Sequence, residues 1–187
     1  MALRHLPNAL TLFRILLIGP IVWLLLNGDF AITLAMFAVA AASDAADGLL
    51  AKQFGWTSEL GKVLDPLADK LLLVAMFITL AAVGLAPVWL TALVVARDLV
   101  IVIGATVSRL NFGPIGGQPT LVSKLNTLCQ ILFVLAAIAG AAGIGIPPWL
   151  LIMLGALVLV TTVVSGLDYV LRYASRASAL SRERAGR

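Results

Sequence analysis

Residues 148–171 read PWLLIMLGALVLVTTVVSGLDYVL, a run that is long and apolar enough to cross a bilayer as one helix. A transmembrane helix needs roughly 20 apolar residues to cover about 30 Å of hydrocarbon, and it satisfies its own backbone hydrogen bonds. Other stretches of the same kind precede it. They are 9–27, 30–51, 62–84, 87–109 and 122–143. The sequence therefore predicts an all-α integral membrane protein with six transmembrane helices.

The composition of the whole chain agrees with this prediction. Of its 187 residues, 61% are hydrophobic and 12% are charged, whereas soluble domains average about 45–50% apolar and about 25% charged residues. This excludes a water-soluble globular protein, and it excludes a disordered or nucleic-acid-binding one despite the net charge of +4. The only cysteine, Cys129, cannot form an internal disulfide, and the sequence has no Cys/His cluster for zinc. We expect a single membrane domain over residues 1–187.

The basic residues indicate how the helices are oriented. Under this assignment all 13 Lys and Arg residues lie on one side of the membrane, or in the half of a span nearest to it. The opposite loops, 27–29, 84–87 and 143–148, contain no Lys or Arg. Because positive charge marks the cytoplasmic face, we expect both termini in the cytoplasm and a multi-pass protein of the inner membrane.

Four aspartates lie near the predicted cytoplasmic ends of the second and third spans. Asp44 and Asp47 are three residues apart and share one helix face, while Asp65 and Asp69 are four apart and share a face of the next helix. The short connection between the spans lets the carboxylates converge in one cleft. Ionised carboxylates there would repel one another and lose hydration at a cost of several kcal/mol each. They must therefore either take up protons or hold cations.

The residue types of this cluster favour cations. Oxygen ligands without His or Cys select hard ions, Mg²⁺ first, with Mn²⁺ or Ca²⁺ as alternatives. Four acids exceed what one Mg²⁺ usually needs, which predicts two ions that share ligands. Gly48, Ala51 and Gly61 lie on or beside the same faces, where small residues either allow close helix packing or leave a groove for a ligand. Lys52 is placed to neutralise an anion at the rim.

Three interpretations of the cluster compete on the residues alone. A structural ion-paired cluster is disfavoured, because only Lys52, Lys62 and Lys70 are near enough to balance the acids. A proton- or cation-coupled transporter also uses acids within its spans, although these short spans lack interrupted helices in matching halves. A metal-dependent enzyme acting on a phosphate-bearing lipid accounts for the acids, the small residues and the basic residue together.

One stretch resembles the signature of the CDP-alcohol phosphatidyltransferases: Asp44-x2-Asp47-Gly48-x2-Ala51-Lys52-x8-Gly61-x3-Asp65-x3-Asp69. The departure is Lys52, where the family usually has Arg; Lys keeps the positive charge but loses bidentate binding of phosphate. The resemblance extends to the six-span layout and to the segment from Pro7 to Arg14. It implies a metal-dependent transfer of a phosphatidyl group from CDP-diacylglycerol to an alcohol, with release of CMP. It also implies a homodimer.

The resemblance implies roles for individual residues. Asp44, Asp47 and Asp65 would bind the two Mg²⁺ ions, with Asp69 near the second. Asp69 would also be the general base that takes the proton from the attacking hydroxyl. The positions that would contact the CDP-lipid are Asn8, Thr11, Asp47, Gly48, Ala51, Lys52, Ser58 and Gly61. Simpler roles are open to some residues: Asn8, Thr11 and Ser58 as helix caps, and Arg14 as a side chain that extends to the interface.

Two further stretches concern the acceptor alcohol. Ala96-Arg97-Asp98-Leu99 and the segment 119–127 resemble the CMP-forming cardiolipin synthase branch. Phosphatidylglycerophosphate synthases tend instead to have Arg-Glu in span four and Gly-Lys-x-Lys-Thr before span five. We therefore expect phosphatidylglycerol as the acceptor, with glycerol 3-phosphate as the alternative. Arg97, Arg109 and Lys124 are the candidates for holding the acceptor phosphate, and positive-inside anchoring is the alternative role for them.

Overall fold

The residues described by the computed structural model form six helices. The structure describes the backbone of residues 6–54, 61–112 and 120–185, and the side chains of 12–43, 68–104 and 120–171. The helices are α1 (Leu6–Leu26), α2 (Phe30–Phe54), α3 (Gly61–Ala82), α4 (Val88–Phe112), α5 (Leu121–Ala141) and α6 (Pro148–Ala185). The all-α prediction is confirmed, and each helix overlaps one of the predicted stretches.

The last helix differs most from its predicted range. The apolar run ends at residue 171, but α6 continues to Ala185 and is 38 residues long, or about 57 Å at about 1.5 Å per residue. Hydropathy marks only the part of a helix that is apolar. The tail beyond that part is rich in Ala and Arg, which have high helix propensity, so the helix does not end where the apolar run does.

Three helices end in the same kind of turn. Gly28, Gly84 and Gly143 adopt φ values of 83°, 78° and 84°, in the left-handed region where a side chain would clash with the backbone. After α1, the amides of Gly28 and Asp29 donate to the carbonyls of Leu25 and Leu24, and the same pair of bonds recurs after α3 and α5. This is the Schellman arrangement, which satisfies the last carbonyls of a helix. It explains why these connections are short.

The helices pack around an apolar core. Helix α1 lies against α2 and α3, α5 lies against α6 and α2, and α4 contacts α6 and α3. Phe77 of α3 stacks on Phe133 of α5 with ring centroids 5.8 Å apart. Ile21, Leu25 and Phe37 are fully buried beside them. Leu90 of α4 and Leu154 of α6 belong to the same cluster, so the core includes residues of all six helices.

The surface of the described residues is apolar. Ile152 of α6 is 72% exposed, whereas Arg97 is 5% exposed, the reverse of the distribution in a water-soluble protein. Within the described residues, α5 (Leu121–Ala141) and the part of α6 from Pro148 to Leu171 are long and apolar enough to cross a membrane. Leu12–Leu26 and Phe30–Ser43 are shorter apolar helical segments. This surface is suited to contact with lipid chains.

Candidate active site

Asp69, the predicted general base, forms an ion pair with Arg14 of α1. The Arg14 side chain is 4% exposed and that of Asp69 is 31% exposed. Arg14 therefore points into the helix bundle and not towards an interface. The pair exists because α1 packs along α3, and it places a fixed positive charge beside the partly exposed Asp69 carboxylate.

A small cavity of about 30 Å³ adjoins this ion pair. Its walls include Arg14 and Asp69 together with Ala40 and Ala41 of α2 and Thr127 of α5. Four helices thus meet around the Asp69 carboxylate. Two of the wall residues are alanines, whose small side chains leave room there, on the order of one water molecule.

A second group of charges begins at the next residue of α3, Lys70. The Lys70 ammonium donates to Asp98 Oδ1 of α4 at 2.6 Å, and Arg97 Nη1 donates to the same oxygen at 2.6 Å. Arg97 Nη2 donates to Ser123 Oγ of α5 at 2.9 Å and also bonds Ser165 Oγ of α6. We call Lys70, Arg97, Asp98, Ser123 and Ser165 the α3–α6 polar cluster. Asp98 links α4 to α3 through Lys70, and Arg97 links α4 to α5 and α6 through the two serines.

The sequence patterns treated Lys70 only as a cytoplasmic-side cation near the acidic cluster, and they gave Asp98 no role of its own. The available signal was Asp98, an acid within a span, because such residues are costly in a membrane and have a partner or a function. The Arg97 stem lies against α6, where a side chain at Gly166 would come within 3.7 Å of Arg97 Cγ. A Cβ at that distance would make an ordinary van der Waals contact, so the Arg97 stem packs directly on this part of α6 beside Ser165.

Below the α3–α6 polar cluster, polar residues continue along α5. Asn126 Oδ1 accepts hydrogen bonds from Thr161 and Thr162 of α6, both at 2.9 Å. Asn126 and Gln130 are fully buried. Among the described residues the Gln130 amide has no hydrogen-bond partner. Interhelical hydrogen bonds of this kind contribute modestly, about 0.6–2 kcal/mol each in membranes, and here they fix α5 on α6.

The start of α5 is set by a helix cap. Thr120 is the N-cap, and its side chain accepts a hydrogen bond from the Ser123 amide at 3.2 Å. This cap fixes the first turn, which carries both Ser123 and Lys124. Lys124 is exposed, whereas Arg97 is buried with protein partners on both terminal nitrogens. Of the predicted acceptor-binding residues, Arg109 lies in α4, but its side chain is outside the described residues.

The remaining predicted site residues can be placed only by helix. Asn8 and Thr11 lie in α1, and Gly61 and Asp65 lie in α3. Helix α2 carries Asp44, Asp47, Gly48, Ala51 and Lys52. The side chains of all of these fall outside the described residues, and Ser58 falls outside them entirely. The convergence of the four aspartates therefore stays a prediction.

The described part of the site supplies one candidate metal ligand. Among the side chains of residues 12–43, 68–104 and 120–171, no group of three or more His, Cys, Asp or Glu gathers around one point. Asp69 offers carboxylate oxygens and is partly exposed, and oxygen donors of this type fit a hard divalent cation. A complete ligand set would need the aspartates of α2 and Asp65.

Residues 4–176 match the family model of the CDP-alcohol phosphatidyltransferases. The chain is similar to the CMP-forming cardiolipin synthases of Rattus norvegicus and Homo sapiens, each 34% identical over 149 residues, which cover 71% of this chain and 49% and 50% of those proteins. It is also similar to a probable phosphatidylglycerophosphate synthase of Mycobacterium tuberculosis, 33% identical over 177 residues, 91% of this chain and 82% of that protein. The chain thus spans about half the length of the two cardiolipin synthases.

Proposed function

The chain belongs to the CDP-alcohol phosphatidyltransferase family, and on that premise we propose that it transfers a phosphatidyl group from CDP-diacylglycerol to an alcohol and releases CMP. The family match over residues 4–176 carries this proposal. The geometry supports it, because the last aspartate of the signature, Asp69, is partly exposed and paired with a buried arginine. The same match favours an enzyme over the transporter that the intramembrane acids alone would allow.

In this reaction the acceptor hydroxyl oxygen attacks the phosphorus that carries the diacylglycerol. The new oxygen–phosphorus bond forms as the pyrophosphate linkage to the cytidine monophosphate breaks, and the hydroxyl proton passes to an Asp69 carboxylate oxygen. A base must lie within hydrogen-bond reach of the proton that it takes. Arg14 contributes by holding the Asp69 carboxylate in one position, so that the proton acceptor is oriented before substrate arrives.

We propose that Asp44, Asp47, Asp65 and Asp69 hold two Mg²⁺ ions. When bound, such ions neutralise the pyrophosphate and polarise the phosphorus under attack. The carboxylates contribute four negative charges, which need this compensation in a low-dielectric setting. The positions proposed to bind the CDP-lipid are Asn8, Thr11, Asp47, Gly48, Ala51, Lys52, Ser58 and Gly61.

For the acceptor we propose phosphatidylglycerol, which would make the product cardiolipin. Both terminal nitrogens of Arg97 are engaged by protein partners, so among the described residues Lys124 is the more accessible of the proposed acceptor ligands. One or two cations suffice for the single charge of a phosphodiester. Glycerol 3-phosphate is the second candidate, favoured by the similarity to a phosphatidylglycerophosphate synthase over 91% of this chain.

We further propose that all of the helices α1 to α6 span the inner membrane, with both termini and the aspartates on the cytoplasmic side. The exposed apolar side chains and the three short glycine turns support this arrangement, as does the absence of Lys and Arg from the connecting sequences of those turns. A cytoplasmic site lets the water-soluble cytidine enter while the acyl chains stay in the bilayer. A homodimer is proposed on the family resemblance.

The test supplies purified protein with CDP-diacylglycerol, Mg²⁺ and equimolar phosphatidylglycerol and glycerol 3-phosphate in mixed micelles. We expect CMP release, with cardiolipin as the main lipid product by mass. Predominant phosphatidylglycerophosphate would reject the acceptor and leave the family reaction in place. Ion flux in sealed vesicles without CDP-lipid, together with no CMP release, would reject the enzyme.

A further inference from the structure

Two consecutive residues of α3 carry opposite charges and point to different helices. Asp69 pairs with Arg14 of α1, and Lys70 pairs with Asp98 of α4 at 2.6 Å. Consecutive residues project about 100° apart around an α-helix, so the two side chains leave α3 in different directions. The Lys70 ammonium is thus drawn away from the carboxylate beside it in the sequence.

The partner of Lys70 is held firmly. Asp98 has a short side chain that is 4% exposed, and the oxygen that accepts from Lys70 also accepts from Arg97 Nη1. Arg97 is in turn bonded by Ser123 and Ser165. Lys70 is the adaptable member, because its four-carbon stem is flexible and its side chain is 24% exposed. The position of Asp98 therefore determines the position of the Lys70 ammonium.

We propose that Asp98 is a positioning residue, whose carboxylate holds the Lys70 ammonium away from the Asp69 carboxylate. This inference rests on the proposed function, in which Asp69 takes the proton from the acceptor hydroxyl. If Asp98 loses its charge, Lys70 keeps a poorly solvated ammonium without a counter-ion, which is strongly unfavourable inside a protein. The flexible lysine then turns to Asp69 and occupies the oxygen that must receive the proton.

The test compares Asp98→Asn, Lys70→Gln and the double variant in CMP release from CDP-diacylglycerol. Asp98→Asn keeps the shape of the side chain, and we expect kcat to fall on the order of ten- to a hundredfold. The KM for CDP-diacylglycerol should change by less than about twofold, since the loss is in the chemical step. The double variant should regain the kcat of Lys70→Gln alone, because the ammonium that blocks Asp69 is gone.

A matched control separates this role from a general effect of lost buried hydrogen bonds. Thr162→Val removes a buried hydroxyl that bonds Asn126 and touches none of the charges, so it should retain kcat. Thermal unfolding of every variant shows whether a loss of activity reflects a loss of folded protein.

The kinetic results of these variants either support or refute the positioning role of Asp98. Wild-type kcat in Asp98→Asn overturns it and leaves the proposed function intact. A double variant that is folded but as slow as Asp98→Asn also overturns it, because the loss then comes through Arg97 or through packing. If Asp98→Asn does not fold, the double variant decides alone: kcat equal to that of Lys70→Gln supports the inference, and a lower kcat refutes it. No CMP release by the wild-type protein would refute the proposed function and this inference with it.

Discussion

The Arg14–Asp69 ion pair contributes both to the stability of the α1–α3 contact and to the orientation of the Asp69 carboxylate. Replacing Arg14 by Met keeps much of the apolar stem and removes the charge that faces Asp69. Breaking a buried pair by removing one partner costs about 3–5 kcal/mol. Arg14 is 4% exposed but Asp69 is 31% exposed, so water compensates part of the loss and we expect about 1–3 kcal/mol. In a chain of this size that corresponds to a decrease in Tm of about 2–12 °C.

The assay is thermal unfolding in detergent of the wild-type protein, Arg14→Met, Asp69→Asn and the double variant. Because the two side chains contact each other, the double variant should lose less stability than the sum of the single losses. Arg14→Lys serves as the control, since it keeps the charge but not the guanidinium fork, and it should lie between wild type and Arg14→Met. Additive losses, or an Arg14→Met protein that unfolds like wild type, would refute this account of the pair.

Two further predictions concern the membrane arrangement and the metal. Cysteines placed at Asp29 or Gly145 in a Cys129→Ala background should react with an impermeant reagent only from outside, and one at Ser181 only from the cytoplasmic side; labelling of position 29 from the cytoplasm would overturn the orientation. A chelator should abolish CMP release and Mg²⁺ or Mn²⁺ should restore it, because carboxylate oxygens are the proposed ligands. Full activity in excess chelator would contradict the two-ion proposal.

The helices could be predicted from the sequence because their causes are local. Apolar runs and the glycines at positions 28, 84 and 143 locate the helix ends, since a Schellman turn needs only a few consecutive residues. The extension of α6 to Ala185 was not predicted because the end of the helix was inferred from hydropathy, which does not measure helix propensity. Propensity, and not burial in lipid, favours the helix beyond residue 171.

The contacts of the charged residues could not be predicted in the same way. Arg14 and Asp69 are 55 residues apart in the chain, and their pairing depends on how α1 lies against α3. Positive-inside patterning accounted for Lys70, and acceptor binding was the role predicted for Arg97, so neither interpretation indicated that both residues bind Asp98. The signature did single out Asp69, because the spacing of acids within a span depends only on helix geometry.

If Asp69 is the general base of a phosphatidyl transfer, the reaction must depend on its carboxylate. CMP release from CDP-diacylglycerol is followed for wild type and Asp69→Asn at matched amounts of folded protein, with binding of the CDP-lipid measured in parallel. We expect CMP release by wild type, together with loss of release and largely retained binding in Asp69→Asn, because the substitution removes the base but changes the side-chain volume little. Full CMP release by Asp69→Asn would contradict it.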